Sequence, residues 1–176
     1  MSTNRHIRRK PFKSPPVTLI VNRQTYELEV GEGADKVEVS HTLAHTLRET
    51  LGMTGTKVSC DNGACGCCTV LIDGKALLSC MTLTIECDGK EIQTVEGLRD
   101  PETGGLDPLQ QAFIDHTAFQ CGYCTPGILM SAKALLNENP RPAEDEVKEA
   151  LSGNFCRCIS HYQVVRAVIA ASEKMR

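Results

Sequence analysis

VTLIVN and TYELEV, within residues 17 to 30, place apolar and β-branched residues at alternating positions, the two-residue period of a half-buried strand. They predict a hairpin joined across Arg23-Gln24. The period then changes. Leu43, Leu47 and Leu51 recur every fourth residue in HTLAHTLRETLG, which predicts a helix capped by Ser40 and ended by Gly52. CTVLID and KALLSC flank Asp73-Gly74, a dipeptide suited to a tight hairpin turn, and EIQTV predicts a further strand over 91–95. The first half thus reads as α+β, several strands with one main helix.

The stretch EGLRDPETGGLDP, 96–108, concentrates Gly, Pro and acidic residues without sustained periodicity, and reads as a linker. Beyond it the apolar spacing is helical in LQQAFIDHTAF, PGILMSAKALLNE, PAEDEVKEALSG and HYQVVRAVIAASEKM, with Pro126 at a first-turn position. Four helices in roughly 70 residues predict a compact bundle. The expected organisation is a basic arm over 1–16, an α+β domain over 17–95, a linker over 96–108 and an all-α domain over 109–176.

Composition narrows what these domains do. A net charge of −3 over 176 residues, with few aromatics and no Trp, gives neither the basic footprint nor the stacking surface of a nucleic-acid binder. The N-terminal RRKPFK resembles a twin-arginine signal, but VTLIVNRQTYELEV turns polar within six residues, short of the apolar stretch such a signal needs. The segment reads instead as a basic arm, disordered or touching a partner. No run approaches the roughly 18 apolar residues of a membrane span. A cytoplasmic protein is expected, and there dense cysteines bind metal more often than each other.

Ten cysteines fall on both sides of the expected linker. Cys60, Cys65 and Cys68 in CDNGACGCC stand as C-x4-C-x2-C, and Cys80 follows after eleven residues. This is the plant-type ferredoxin spacing for a [2Fe–2S] cluster. Such a cluster with its four thiolates is doubly negative, and triply so once reduced, so it needs donors close by. Gly63 and Gly66 let the loop turn its N–H groups toward sulfur without Cβ obstruction. Cys67 and Cys68 point opposite ways in an extended loop, so Cys67 reads as a small packing residue, as does Cys87.

The second set is Cys121 and Cys124 in QCGYCTPG, then, after thirty-one residues, Cys156 and Cys158 in NFCRC. Both pairs precede helices, whose N-termini would aim partial positive charge at an anionic centre. From the residues alone, four thiolates here serve a structural zinc as well as a cluster.

CDNGACGCCTV, QCGYCTPG and GNFCRC together resemble the motifs of the small iron–sulfur subunit of molybdenum hydroxylases, the group of xanthine dehydrogenases, aldehyde oxidases, carbon monoxide dehydrogenases and 4-hydroxybenzoyl-CoA reductases. The match spans about residues 17 to 175 and uses both motif sets in order. It implies a β-grasp, plant-type ferredoxin-like domain followed by an all-α four-helix bundle, each with one [2Fe–2S] cluster. It assigns Cys60, Cys65, Cys68 and Cys80 to one cluster and Cys121, Cys124, Cys156 and Cys158 to the other. The helical-domain cluster is implied to lie nearer a molybdenum pterin cofactor on a large subunit, and the ferredoxin-like one nearer FAD on a medium subunit. A heterotrimer, or a dimer of heterotrimers, follows. Gln120 takes the position that touches the pterin, where an amide can both donate and accept. One segment departs from the family: where relatives commonly read C-R-C-T-G-Y, this chain has Ile159-Ser160-His161 after Cys158, so the packing after the last ligand must differ.

Other candidates are weaker. His41 and His45 have zincin spacing, but Thr42 stands where the catalytic Glu belongs. Glu144, Asp145, Glu146 and Glu149 are ordinary acidic residues at the start of a helix. No dinucleotide fingerprint and no nucleophile–base motif occur. The expected role is therefore electron transfer without catalysis of an organic substrate by this chain alone. Its rivals are a free ferredoxin-like carrier and a zinc-stabilised interaction module.

Overall fold

The computed structural model describes residues 14–33, 36–100 and 102–174. Most of the expected basic arm lies outside them. The first half is a five-stranded mixed sheet of β1 (Val17–Val21), β2 (Gln24–Leu28), β3 (Thr69–Ile72), β4 (Lys75–Leu78) and β5 (Glu91–Gln93), in the order β2-β1-β5-β3-β4. β1 and β5 run parallel, and the other neighbours are antiparallel.

Both hairpins turn on two residues with positive φ. Asp73 and Gly74 do so as predicted, at 49° and 79°. In the first hairpin the turn is Asn22-Arg23, at 50° and 70°, and Gln24 already pairs with Val21, one residue earlier than the sequence suggested. Asn22 tolerates this conformation because its amide is braced: it donates to Thr94 Oγ1 and accepts the Thr94 N–H, each at 2.9 Å.

The expected helix is shorter and differently capped. Helix α1 (Leu43–His45) passes directly into a π-helical turn over Thr46–Thr50, and the Thr42 hydroxyl caps it by accepting the His45 N–H at 3.3 Å. Ser40 is not the cap. Its hydroxyl reaches only to Glu38, at 3.5 Å. Leu43 and Leu47 still enter the core as the leucine spacing demands, against Leu19, Val21, Val70, Ile72 and Ile92 of the sheet. Gly52, with φ 69°, ends the turn. The sheet thus clasps one short helix, the β-grasp arrangement.

The second half contains α2 (Pro108–Asp115), α3 (Thr125–Glu138), α4 (Glu144–Ala150) and α5 (His161–Lys174). α2 begins on an Asp107 cap, whose carboxylate accepts the Leu109 N–H at 2.8 Å. It stops four residues before the predicted Phe119, because Thr117 takes φ 50° and the Ala118 N–H turns back to the Phe113 carbonyl. α3 starts with Pro126 in its first turn, as predicted. α2 and α4 pack on α5, and α3 packs on β3.

β3 is buried on both faces, which joins the halves. Val70 and Ile72 face the sheet–helix core, whereas Leu71 enters the helical core with Phe113, Ile128 and Val168. Full burial of a side chain of that size contributes about 2 kcal/mol. Segment 96–108, expected as a linker, carries a 3-10 turn at Val95–Leu98 and places Leu98 in the same helical core.

Candidate metal centres

The loop that connects the π-helical turn to β3 carries Cys60, Cys65 and Cys68. It coils because Asp61, Gly63 and Gly66 adopt φ of 53°, 78° and 72°. Its last turn is pinned by Thr69, whose hydroxyl donates to the Gly66 carbonyl at 2.8 Å. Cys80 arrives from the far side of the β3–β4 hairpin in a 3-10 turn, Ser79–Met81. The Ser79 hydroxyl donates to the Cys68 carbonyl at 2.7 Å, which fixes Cys80 beside Cys68.

The four thiols stand as two pairs, Cys60 with Cys65 and Cys68 with Cys80. Backbone N–H groups favour a thiolate at Cys60: those of Asn62, Ala64 and Cys65, together with the Cys65 thiol, bring it down to about 7. Burial pushes Cys80 up to about 12, assisted by Cys68 and opposed by the Gly63 N–H.

The second set forms a continuous run, because Cys158 neighbours Cys156 as well as Cys121. Cys121 and Cys158 have their sulfurs 3.9 Å apart, and Cys124 stands beside Cys156. The N–H groups of Cys158 and Ile159 reach Cys156 Sγ at 3.3 and 3.5 Å. Burial raises Cys156, but these donors and the neighbouring thiols outweigh it and hold the group below the ordinary thiol range. Cys124, the residue before α3, is pushed up to about 12 by burial and then by Cys156. Cys121 and Cys158 are exposed, with Gln120 exposed beside them.

Among the described residues, no three or more His, Cys, Asp or Glu side chains converge on a point that would hold one metal ion. The sulfurs gather instead in two groups of four, each wide enough for more than one metal ion. Two thiolates per iron, with backbone donors aimed at sulfur, is the donor chemistry a [2Fe–2S] cluster takes. The residues fit that group.

Cys87 lies apart from both groups, and Cys67 borders the first through the Cys65 thiol. Cys67 is 5% exposed and pushed up to about 12 by burial and the adjacent Cys65. The Cys87 thiol donates to the Leu83 carbonyl at 3.6 Å, and burial raises it to about 11. The His41 and His45 ring centroids lie 4.1 Å apart with their planes tilted by 41°, and His41 Nδ1 accepts the Glu38 N–H. Asp145 and Glu144 pair with Lys148. The departure after Cys158 builds the entry to α5: Ile159 is buried in the helical core, and the Ser160 carbonyl accepts the N–H groups of Gln163 and Val164.

Contacts between the two sets were not legible in the sequence. Tyr123 donates to the Val58 carbonyl at 2.6 Å, the Phe155 N–H to the Cys65 carbonyl at 3.0 Å, and Asn154 Nδ2 to the Gly66 carbonyl at 3.1 Å. They join residues 65 to 90 positions apart, and no local signal encodes them.

The chain matches the family model described as "2Fe-2S iron-sulfur cluster binding domain" over residues 14–114, and the one described as "[2Fe-2S] binding domain" over 94–169. It is therefore a protein of two [2Fe–2S]-binding domains. It is 52% identical to the nicotine 6-hydroxylase small subunit of Paenarthrobacter nicotinovorans, over 77% of this chain and 80% of that one. To the nicotinate dehydrogenase small FeS subunit of Eubacterium barkeri it is 40% identical, over 88% of this chain and 98% of that one. Among solved structures, a chain of quinoline 2-oxidoreductase from Pseudomonas putida 86 superposes with a TM-score of 0.81 at 42% identity, covering 90% of this chain and 93% of that one. The chain belongs to the family of small iron–sulfur subunits of molybdenum hydroxylase-type oxidoreductases.

Proposed function

We propose that this chain is the electron-transfer subunit of a multi-subunit molybdenum hydroxylase-type oxidoreductase, passing electrons one at a time between a molybdenum site on a large subunit and a flavin or other acceptor. The observation that carries the reading is the gathering of eight thiols into two groups of four, one in the sheet-based half and one in the helical half. Cys60, Cys65, Cys68 and Cys80 hold one [2Fe–2S] cluster, and Cys121, Cys124, Cys156 and Cys158 the other. Each bound cluster supplies a one-electron couple. The chain's own residues hold sulfur in place, direct N–H groups at it and bury Cys68, Cys80 and Cys124. Domain limits of 17–95 and 109–176, joined through 96–108, go with this assignment.

Gln120, exposed next to Cys121, is the residue we place against the pterin of the molybdenum cofactor. Tyr123, Phe155 and Tyr162, all from segments bordering the second set, are 44%, 65% and 60% exposed. Aromatic surface of that kind is typical of an interface that a partner covers. A large molybdenum subunit and a medium FAD subunit, in a heterotrimer or a dimer of heterotrimers in the cytoplasm, complete the proposed complex. Among the described residues no helix is long and apolar enough to cross a membrane.

Iron and acid-labile sulfide analysis of the purified chain, with electron paramagnetic resonance after reduction, tests the reading. About four irons and two distinct [2Fe–2S] signals are expected. Zinc in place of iron, or a colourless chain silent to reduction, would refute it.

A further inference from the structure

We infer that Gly127 and Asn154 are positioning residues for electron transfer between the two cysteine sets, because they seat both halves of the second set against the backbone of Gly66 in the first. The inference rests on the electron-transfer reading above.

A Cβ on Gly127 would overlap the Gly66 carbonyl oxygen and stand 2.9 Å from both Cα and the carbonyl carbon of Cys67. From the other side, a Cβ on Gly66 would meet Asn154 Nδ2 at 2.5 Å and the Gly153 carbonyl oxygen at 2.6 Å. Residue 66 is therefore gripped between the first turn of α3 and the loop that leads to Cys156. Its carbonyl accepts three donors, Asn154 Nδ2 at 3.1 Å, the Thr69 N–H at 3.2 Å and the Thr69 hydroxyl at 2.8 Å.

The two glycines are there for different reasons. Gly66 needs a left-handed backbone, with φ 72°. Gly127 is helical and buried, where glycine costs roughly 1 kcal/mol against alanine. What its missing side chain provides is contact between two backbones. Gly127 follows Cys124 by three residues, Asn154 precedes Cys156 by two, and Gly66 lies between Cys65 and Cys68. At this contact backbone meets backbone, so the seam fixes how closely the two loops approach, while the Cys67 thiol, beside Cys65, packs in the same core as Cys124.

The step it governs is the passage of one electron: one centre is oxidised by one electron, the other reduced by one, and no bond is made or broken. Tunnelling slows steeply with added separation. A methyl group at residue 127 meets backbone on a close-packed surface and must push the loop and helix apart.

The test uses the full iron-loaded chain with Gly127→Ala and, separately, Asn154→Ala. Iron content, the magnetic splitting between the two reduced centres, and the rate of electron redistribution after photoreduction by a one-electron donor are measured. Dipolar splitting falls with the inverse cube of distance, so it reports the gap independently of activity. Gly127→Ala should keep its iron, show a smaller splitting and redistribute electrons about tenfold or more slowly, because small misplacements weigh heavily where geometry governs rate. Asn154→Ala, which leaves Gly66 its two Thr69 donors, should move both readouts the same way by less, and it decides the matter if Gly127→Ala fails to fold. Retained iron with unchanged splitting and rate overturns the seam alone. An unaltered chain that binds no iron overturns the electron-transfer reading as well.

Discussion

The hydroxyl of Tyr123 donates to the carbonyl of Val58 at 2.6 Å, tying the residue between two cysteines of the helical set to the stretch that leads into the first cysteine loop. The bond crosses the molecule at its solvent edge, since Tyr123 is 44% exposed. Tyr123→Phe keeps the ring and removes only this bond. A loss of about 1 kcal/mol is expected, with both clusters retained. Chemical denaturation followed by cluster absorbance measures it, and an unaltered midpoint would show that water replaces the bond without cost.

The thiol pairing makes the two sets separable. Ser in place of Cys60, Cys65, Cys68 or Cys80 should damage one signal and leave the other, with the converse for Cys121, Cys124, Cys156 and Cys158. Cys67→Ala and Cys87→Ala should leave both signals, because Cys67 packs in the helical core and Cys87 in the sheet–helix core. Resonance spectra of the ten variants check this. Loss of the first signal in Cys67→Ala, with Cys68→Ser retaining it, would exchange the roles of the adjacent pair.

Spacing made the local elements legible. Leu43 and Leu47 announced the clasped helix, Asp73-Gly74 the second hairpin and Pro126 the start of α3, because each depends on neighbours within a turn. The misplacements have physical causes. Ser40 and Thr42 are both good caps, and Thr42 is favoured by the long-range pairing of the Leu43 N–H with the Thr82 carbonyl, 2.7 Å away. Gly66 was read as a donor to sulfur, and its second use as a seat for Gly127 depends on a residue 61 positions distant. Composition marks 96–108 as a linker, and the burial of Leu98 and Asp107 within it depends on distant partners such as Lys133, which no local signal encodes.

Thr42 and Ser40 can be told apart experimentally. Thr42→Ala removes the oxygen that accepts the His45 N–H and should cost about 1 kcal/mol. Ser40→Ala should stay within about 0.5 kcal/mol, as surface changes generally do. Thermal unfolding of the two variants measures the difference, and equal losses would return the cap to Ser40.

Asp107 and Lys133 form the most enclosed ion pair described, 2.7 Å apart with side chains 9% and 13% exposed. Asp107 also caps α2. Asp107→Ala strands a cation beside the helical core and should cost about 3–5 kcal/mol. Lys133→Met should cost less, because the carboxylate keeps the Leu109 N–H. The double variant should recover part of the Asp107→Ala loss, since desolvating the pair offsets much of its attraction. A double-mutant cycle in denaturant checks the ordering, and strict additivity would show that the two groups do not interact.

Gln120 precedes Cys121, and both are exposed on the edge of the second set that carries Tyr123. An exposed amide contributes little to folding, and it is not a sulfur donor, so Gln120→Ala should leave iron content and thermal stability nearly unchanged. If it reaches the pterin of a large subunit, the amide is instead a hydrogen-bonding partner to a neighbouring cofactor, and its loss should appear only in the assembled complex. Slower reduction of the chain's clusters by substrate, or lower cofactor occupancy, is the expected outcome, with iron measured in the same samples. A neighbouring exposed position such as Ser160→Ala provides the control for general damage to this surface. Unchanged reduction rate and unchanged occupancy in Gln120→Ala would remove the residue from the cofactor interface, and turnover of an organic substrate by the purified chain alone would overturn its reading as an electron-transfer subunit.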